Sequence, residues 1–416
     1  MATKLEELRP LLDKCVLCGG CHPDCPTYTQ SRYEHDSARG KVLLADALLK
    51  GELKPSAGLA KTFGHCLSCM ACTQACPAMA DPAKVIVAAR GFLFENGESG
   101  FLEKFVYRKL LASRRGTGFL SAFMKLAAFL SRRLPWFSGF LRDGKTKPFP
   151  DFSLKSLKSQ YQAVIPAVGA PALHVAYFVG CMADWAFQSN GKAVIGALTA
   201  AGVEVTLVED EVCCGAPAYF GGDQIAAIEA AKKNVRAFMA GDFDHIVTSC
   251  ATCGSMLKEV YPELLGGEET ARFAAKIVDF QKLYADRFLE NSRLFKKPGG
   301  NIKVTYHDPS HLSRGMKVTK EPRAILKSLP GVEFVEMREA DACCGGAGTF
   351  NAMNYGDSLE IGARKAKNIA DGGAQIVVTE CPSCQMQLMD LTARHCPGVV
   401  VLHTAEFLSR FDREAR

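Results

Sequence analysis

The chain has little that would mark it as secreted, membrane-spanning or nucleotide-binding. No stretch of its 416 residues approaches the ~20 uninterrupted apolar residues of a spanning helix, so a bilayer-crossing segment is not expected. Met1 to Asp13 is polar and lacks an apolar h-region, so a secretory signal is not expected either. No G-x-G-x-x-G fingerprint follows the first strand-like runs. The one glycine-rich tract, Gly345, Gly346 and Gly348, follows directly on Cys343 and Cys344 and reads as part of a cysteine loop. No flavin motif is present, so this chain carries no hydride acceptor of its own. Charge of one sign is also scarce: 50 Lys+Arg stand against 44 Asp+Glu, a net +6. Without a supporting fold motif, that balance argues against a nucleic-acid partner. With 48% hydrophobic and 23% charged residues, the chain can fill roughly two or three domains, each with its own core.

Cysteine is the residue in excess, with 18 in the chain. Sixteen fall into two kinds of cluster, each present twice; Cys181 and Cys396 lie outside this count. Without a secretory signal, the regular spacings point to a reducing compartment and metal ligation rather than disulfides. The first kind is Cys15-x2-Cys18-x2-Cys21-x3-Cys25-Pro26, repeated as Cys66-x2-Cys69-x2-Cys72-x3-Cys76-Pro77. In such runs three cysteines wrap one 4Fe–4S cluster and the fourth reaches across to the other. Cys15, Cys18, Cys21 and Cys76 are thus expected at one cluster, and Cys66, Cys69, Cys72 and Cys25 at the second. Zinc is the weaker alternative, because zinc sites usually show two separated Cys-x-x-Cys pairs.

The second kind is Cys213-Cys214-Gly215 with Cys250-x-x-Cys253, then Cys343-Cys344-Gly345 with Cys381-x-x-Cys384. Matching positions lie 130 residues apart at Cys213 and Cys343, and 131 apart at Cys250 and Cys381. Strand-like runs share this register: His174–Val179 with Ile302–Tyr306, Val203–Val208 with Val332–Met337, and His245–Thr248 with Gln375–Thr379. Helix-like stretches such as Asp223–Ala240 and Asp357–Ala370 separate them, which predicts parallel α/β layers. The cysteines then fall at strand ends, where sites in open α/β sheets gather. Four sections follow: 1–98 with both ferredoxin-type runs, a connector 99–172, and repeats 173–297 and 298–416, parted by Lys297-Pro298-Gly299-Gly300. Within the first, Ser37–Lys50 reads as a helix, with Ser37 as its N-cap and Gly51 as its stop.

Cys181, Cys213-Cys214-Gly215 and Cys250-Ala251-Thr252-Cys253 resemble the CCG domain of the heterodisulfide reductase family. That resemblance implies a non-cubane 4Fe–4S cluster on Cys181, Cys213, Cys214, Cys250 and Cys253. The second copy, Tyr306-His307-Asp308-Pro309-Ser310-His311-Leu312, has Ser310 where the first cysteine is expected. Three readings stay open for Cys343, Cys344, Cys381 and Cys384: a cluster completed by Ser310, His307 or His311, a degenerate structural copy, or a site for another metal or a substrate. Cys396, before Pro397, is expected to pack in the core or sit free. The whole order of parts, with Cys21-His22-Pro23-Asp24-Cys25-Pro26-Thr27-Tyr28 and Ala38-Arg39-Gly40-Lys41, resembles the iron–sulfur subunit of glycolate oxidase. Related subunits of lactate and anaerobic glycerol-3-phosphate dehydrogenases share it.

The resemblance implies an α+β multidomain fold: an N-terminal α-helical two-cluster ferredoxin domain, then two α/β CCG repeats. It also implies an electron-transfer subunit whose FAD flavoprotein partner oxidises glycolate or lactate, with electrons passing on to quinone or another carrier. A catalytic heterodisulfide reductase-like subunit is the alternative, and a pure electron-transfer adaptor is a third. The connector is basic, with eleven Lys/Arg against Glu103 and Asp143 between Phe101 and Pro150. Phe119, Leu120, Phe123, Leu126, Phe129, Leu130 and Leu134 follow helical spacing near Lys125, Arg132 and Arg133. That stripe, with Trp136 and Phe137, reads either as packing against the chain's own domains or a partner, or as peripheral contact with the inner face of the cell membrane. The expected location is cytoplasmic.

Overall fold

The computed structural model describes residues 5–98, 100–133, 150–290 and 300–411. Leu134, Trp136, Phe137, the Lys297–Gly299 break and the side chains of Arg132 and Arg133 lie outside the described residues. The N-terminal section is helical. Ala38–Leu49 starts at Ser37, whose side chain accepts from the Gly40 amide, satisfying a donor with no partner inside the helix. Its Ala38, Val42, Ala45 and Leu48 are buried at the spacing of one helix face. Pro82–Glu95 begins with proline at its first position, capped by Asp81. It is apolar on nearly every side and packs against Ala38–Leu49, Ala57–Gly64 and Ala216–Gly221, so it is the pillar between the N-terminal section and the first repeat.

The two repeats form two sheets. The first comprises β1 (Val164–Ile165), β2 (Leu173–Phe178), β3 (Val203–Thr206), β4 (His245–Thr248) and β5 (Ile277–Asp279), in the order β1-β3-β2-β4-β5. Only β1 is antiparallel. The second comprises β6 (Ile302–Tyr306), β7 (Val332–Phe334), β8 (Ile376–Thr379) and β9 (Val400–His403), in the order β7-β6-β8-β9, all parallel. Apart from β1 the two orders are the same, so the repeat read from cysteine spacing is a repeat of topology. The chain leaves β2 towards β3 on one side and returns to β4 on the other, which places a switch point between β2 and β4, and another between β6 and β8. Central strands are mainly apolar, as parallel strands covered on both faces tend to be; all of β8 is buried.

The repeats share one core. Tyr177, Val194, Val205, Phe280, Tyr306, Ile325, Val378 and Phe407 belong to a single buried cluster. The helix Gln188–Ala200 packs on Thr404–Leu408, and Phe280–Phe288 packs on Lys320–Ser328, which are the pseudo-equivalent pairings. The carboxyl ends of the sheets therefore meet. Ala251 donates its amide to the Glu380 carbonyl across this junction at 3.3 Å.

In the connector helix Arg114–Arg133 part of the apolar stripe is exposed. Thr117, Ser121 and Ala128 are buried among its described side chains, Ser121 donating to the Ser153 carbonyl at 2.7 Å, while Phe119, Phe123 and Leu126 are exposed. At these positions the apolar stripe is not used for packing on the chain's own domains. Among the described residues, no helix is long and apolar enough to cross a membrane.

Candidate metal centres

Each ferredoxin-type run coils back on itself through left-handed residues. Leu17 and Gly19 in the first run, and Ser68 and Met70 in the second, have positive φ at matching places. Such angles are costly for Leu, Ser and Met and turn amide groups toward the sulfurs. Gly20 donates its amide to Cys18 Sγ, Ser68 to Cys66 Sγ and Ala80 to Cys76 Sγ, each at 3.4 Å. Two cavities result. One is lined by Cys15, Cys18, Cys21 and Cys76, the other by Cys25, Cys66, Cys69 and Cys72. The fold thus brings the fourth cysteine of each run to the cavity of the other. Burial pushes the Cys21, Cys25 and Cys72 thiols up, so thiolates there require a compensating metal. Four converging thiols with amide donors around them fit a 4Fe–4S cluster in each cavity.

In the first repeat the site lies at the switch point. Cys181 follows β2, Cys213 and Cys214 lie in the loop after β3, and Cys250 and Cys253 follow β4. Their thiols touch in series: Cys181 with Cys213, Cys213 with Cys214, Cys214 with Cys253, and Cys253 with Cys250. Contacts from Cys213 and Cys253 pull the Cys214 thiol down, toward the thiolate a metal needs. Gly215, after the cysteine pair, has φ +82° and Gly345 has φ +85°. A Cβ at Gly345 would meet the Ser358 carbonyl oxygen at 2.4 Å, so glycine is required there on both counts. Five thiols in one buried group fit a cluster richer in thiolate than a cubane.

The second repeat places Cys344, Cys384 and Cys381 likewise, Cys384 touching both the others. Two features differ from the first. Ser310 begins the helix His311–Met316 where Cys181 stands in the first copy, so the five-thiolate set is not available. His307 is 1% exposed, and one atom each of His307, Cys344 and Cys384 lie within 4.8 Å of one another. Burial pushes the His307 imidazole down to about 3, so the ring is neutral. His311 has a different place. Its Nδ1 is 3.1 Å from Thr252 Oγ1, its Nε2 is 3.2 Å from the Ser68 carbonyl oxygen, and its ring stacks on Phe220. It is a structural bridge between the second ferredoxin run and the first repeat. Cys396 is buried, its thiol directed at the Ala366 carbonyl at 3.3 Å.

The sites form one series. Cys69 of the second ferredoxin cavity touches Cys343, and Cys381 touches Cys250 of the first repeat. Sequence spacing carries no sign of these two junctions, nor of the buried cations beside them. Lys41 lines the second cavity and donates to the Asp36 carbonyl at 2.7 Å. Burial pushes its ammonium down, opposed by Cys66 and Cys25. Arg90 donates to the Cys66 carbonyl at 2.6 Å, and Lys365, buried, faces Cys344 and Cys343. Lys158 lies 3.6 Å from Glu211, which accepts from the Val179 and Gly180 amides beside Cys181 at 3.2 and 2.8 Å. The only sequence signal was Arg39-Gly40-Lys41 after the first run. A Cβ at Gly40 would lie 2.0 Å from the Glu34 carbonyl oxygen, so the tripeptide is held tightly against the loop.

A model described as "4Fe-4S dicluster domain" matches residues 11–80, and one described as "Cysteine-rich domain" matches 175–258 and 304–389. Together with the thiol geometry, these define an iron–sulfur protein of the two-repeat CCG class. The chain is 30% identical to the probable glycolate oxidase iron-sulfur subunit of Bacillus subtilis over 90% of its own length and 87% of that protein. It belongs to that family of iron–sulfur oxidoreductase subunits. It is 29% identical to a subunit of the dihydromethanophenazine:CoB–CoM heterodisulfide reductase of Methanosarcina acetivorans, over 91% and 88% of the two chains. It is 32% identical to the lactate utilization protein of Geobacillus thermodenitrificans, over 57% of this chain and 99% of that one.

Proposed function

We propose that this chain is the electron-relay subunit of a flavin-dependent 2-hydroxyacid oxidoreductase, oxidising glycolate or lactate on a partner FAD flavoprotein. The observation that carries the reading is the ordering of the cysteine groups, with the second ferredoxin cavity joined to the second repeat at Cys69 and Cys343 and the second repeat joined to the first at Cys381 and Cys250. In this reading Cys15, Cys18, Cys21 and Cys76 hold one 4Fe–4S cluster. Cys25, Cys66, Cys69 and Cys72 hold a second, and Cys181, Cys213, Cys214, Cys250 and Cys253 hold a non-cubane cluster. When bound, these groups supply one-electron carriers at short spacing. The protein holds their thiolates, buries them and sets cations beside them. The absence of a dinucleotide or flavin motif assigns substrate oxidation to the partner, and quinone or another carrier takes the electrons. The chain is read as cytoplasmic, with peripheral membrane contact through the connector as a further element.

The test mixes anaerobic chain with its co-purified flavoprotein and glycolate or lactate. Visible bleaching of the iron–sulfur absorbance is expected only when both flavoprotein and hydroxyacid are present. Bleaching by the hydroxyacid without flavoprotein, or none with it, would overturn the reading. A second reading, disulfide reduction at the first repeat, is favoured by similarity to the heterodisulfide reductase along nearly the whole chain. Thiol-dependent paramagnetic signals in the isolated chain would select it.

Lys41 provides a finer check. Replacing it with methionine removes a buried positive charge beside Cys25 and Cys66. The cluster of that cavity is expected to become harder to reduce, with a midpoint potential tens of millivolts more negative. Potentiometric EPR reads this directly, and an unchanged potential would show that Lys41 is neutralised.

A further inference from the structure

The two ferredoxin-type runs can be compared position by position. Offset by 51 residues, Val16 corresponds to Leu67, Leu17 to Ser68 and Cys18 to Cys69. The two loops turn alike, Leu17 with φ +56° and Ser68 with φ +52°. What differs is what covers them. Leu67 is 5% exposed and packs in one cluster with Phe350 and Ile361 of the second repeat. Ser68 is also buried, and Cys69 touches Cys343. In the second run this face is therefore the joint at which its cavity meets the next cysteine group.

In the first run the same face is open. Val16 is 69% exposed and Leu17 is 44% exposed. Cys18 is the one exposed cysteine among the described residues. Val16, Leu17 and the exposed Pro77 line the cavity of Cys15, Cys18, Cys21 and Cys76. Met79, 75% exposed, follows Ala78 of the same cavity. The open copy is also the more apolar one, with leucine at position 17 where the covered copy has serine. A loop that faces water would gain from the reverse arrangement. A group of apolar side chains exposed around one metal-binding thiol marks a contact surface. The loop is held in place for contact: Arg39 donates to the Leu17 carbonyl at 3.1 Å and to the two Glu34 oxygens at 2.8 and 3.0 Å. Docking on it therefore requires little further ordering. Position along the series identifies the occupant. The second cavity is joined to the second repeat and the second repeat to the first, so the first cavity is the free end. A chain without a hydride acceptor takes its electrons from outside, and the open end is where a donor approaches a thiolate-held group most closely.

We propose that Val16, Leu17, Pro77 and Met79, set around Cys18, form the docking surface for the flavoprotein subunit, and that electrons enter the chain at the first ferredoxin cavity. This rests on the reading that a flavoprotein oxidises the hydroxyacid. The hydroxyacid leaves as the 2-oxoacid. Its two electrons cross this face one at a time, and its two protons pass from the flavoprotein to solvent. The two runs therefore use one face in two ways, the second to join the chain's own repeat and the first to join a partner.

The test is amide hydrogen exchange on the anaerobic full-length chain, alone and with its co-purified flavoprotein, followed by bleaching with glycolate or lactate. Adding flavoprotein should slow exchange over residues 14–20 and 78–80 and leave residues 119–126 of the connector unchanged. Val16→Glu puts a charge into the contact, so bleaching through the flavoprotein should slow at least about tenfold. Bleaching by dithionite and the iron content should match the unaltered chain. Met79→Glu should act in the same direction, and it replaces Val16→Glu if that variant loses its iron. Slowed exchange in the connector without any at 14–20, or undiminished bleaching in both variants, would overturn the proposal. So would slowing over 14–20 as the concentration of the chain alone is raised, which would assign the face to a second copy. If the flavoprotein slows exchange over 14–20 but the hydroxyacid bleaches nothing, the functional reading fails and the docking surface stands.

Discussion

Replacing Arg90 with methionine will destabilise the chain by about 3 kcal/mol and empty the second ferredoxin cavity. Arg90 is 8% exposed on the helix Pro82–Glu95. Its guanidinium donates to the carbonyls of Phe63, Gly64, Cys66 and Phe220 at 2.8, 3.3, 2.6 and 2.7 Å, and to Ser68 Oγ at 3.2 Å. These acceptors lie at the end of the helix Ala57–Gly64, on the loop that carries Cys66 and Cys69, and at the end of a helix in the first repeat. Methionine fills similar volume but offers no donors, so several buried carbonyls would lose their partners at once. Lysine would not substitute, because one ammonium cannot present the flat fork that reaches five acceptors. The expected result under anaerobic conditions is a lower unfolding midpoint in denaturant and a loss of about four irons. Unchanged iron and an unchanged midpoint would show that water replaces the guanidinium, and the account of this junction would fail.

Cys181→Ala is expected to remove the redox group of the first repeat while leaving the fold and the two N-terminal clusters in place. The reason lies in the backbone around it. Gly180 has φ +72°, and Glu211 accepts from both the Val179 and Gly180 amides, so the turn that presents residue 181 is held without the cysteine. Burial pushes the Glu211 carboxyl up, while Lys158 at 3.6 Å favours its charged form. Alanine removes only the sulfur that touches Cys213. Iron should fall by about four per chain, and turnover with the flavoprotein should fall by at least on the order of a hundredfold. The cubane EPR signals should persist. Retention of all the iron would show that four thiols suffice in the first repeat and would remove the contrast with Ser310. Loss of every cluster would mean that Cys181 has a folding role the Glu211 contacts do not carry.

The strand expectations separate what spacing can and cannot show. β4 and β6 match the sequence reading at both ends. β3 stops at Thr206 and β7 at Phe334, short of the apolar runs, because the following residues turn toward the cysteine loops. β5 and β9 were not expected. Each is three or four residues long, at a sheet edge beyond a Cys-x-x-Cys helix, and a run that short has no period to distinguish it from helix. The capping of Ala38–Leu49 by Ser37 was legible because a cap is a local contact. The connector stripe was legible as amphipathic, but its direction was not. Packing at Thr117, Gly118 and Ser121 decides that, and a Cβ at Gly118 would lie 2.9 Å from the Trp185 ring.

The sequence alone determined the inventory of cysteine groups: two ferredoxin runs, a five-cysteine repeat and a second repeat with Ser310 at the first cysteine position. The short spacings within each run, and the register between the two repeats, survive in one dimension. Tertiary structure decided how those groups are ordered in space and what completes them. The contacts of Cys69 with Cys343 and Cys250 with Cys381, the cations Lys41, Arg90 and Lys365, and the unpartnered Nδ1 of His307 all join residues far apart in sequence or depend on burial. Burial leaves the Nδ1 of a histidine at a strand end without a partner, and burial is not encoded in the spacing of neighbouring residues.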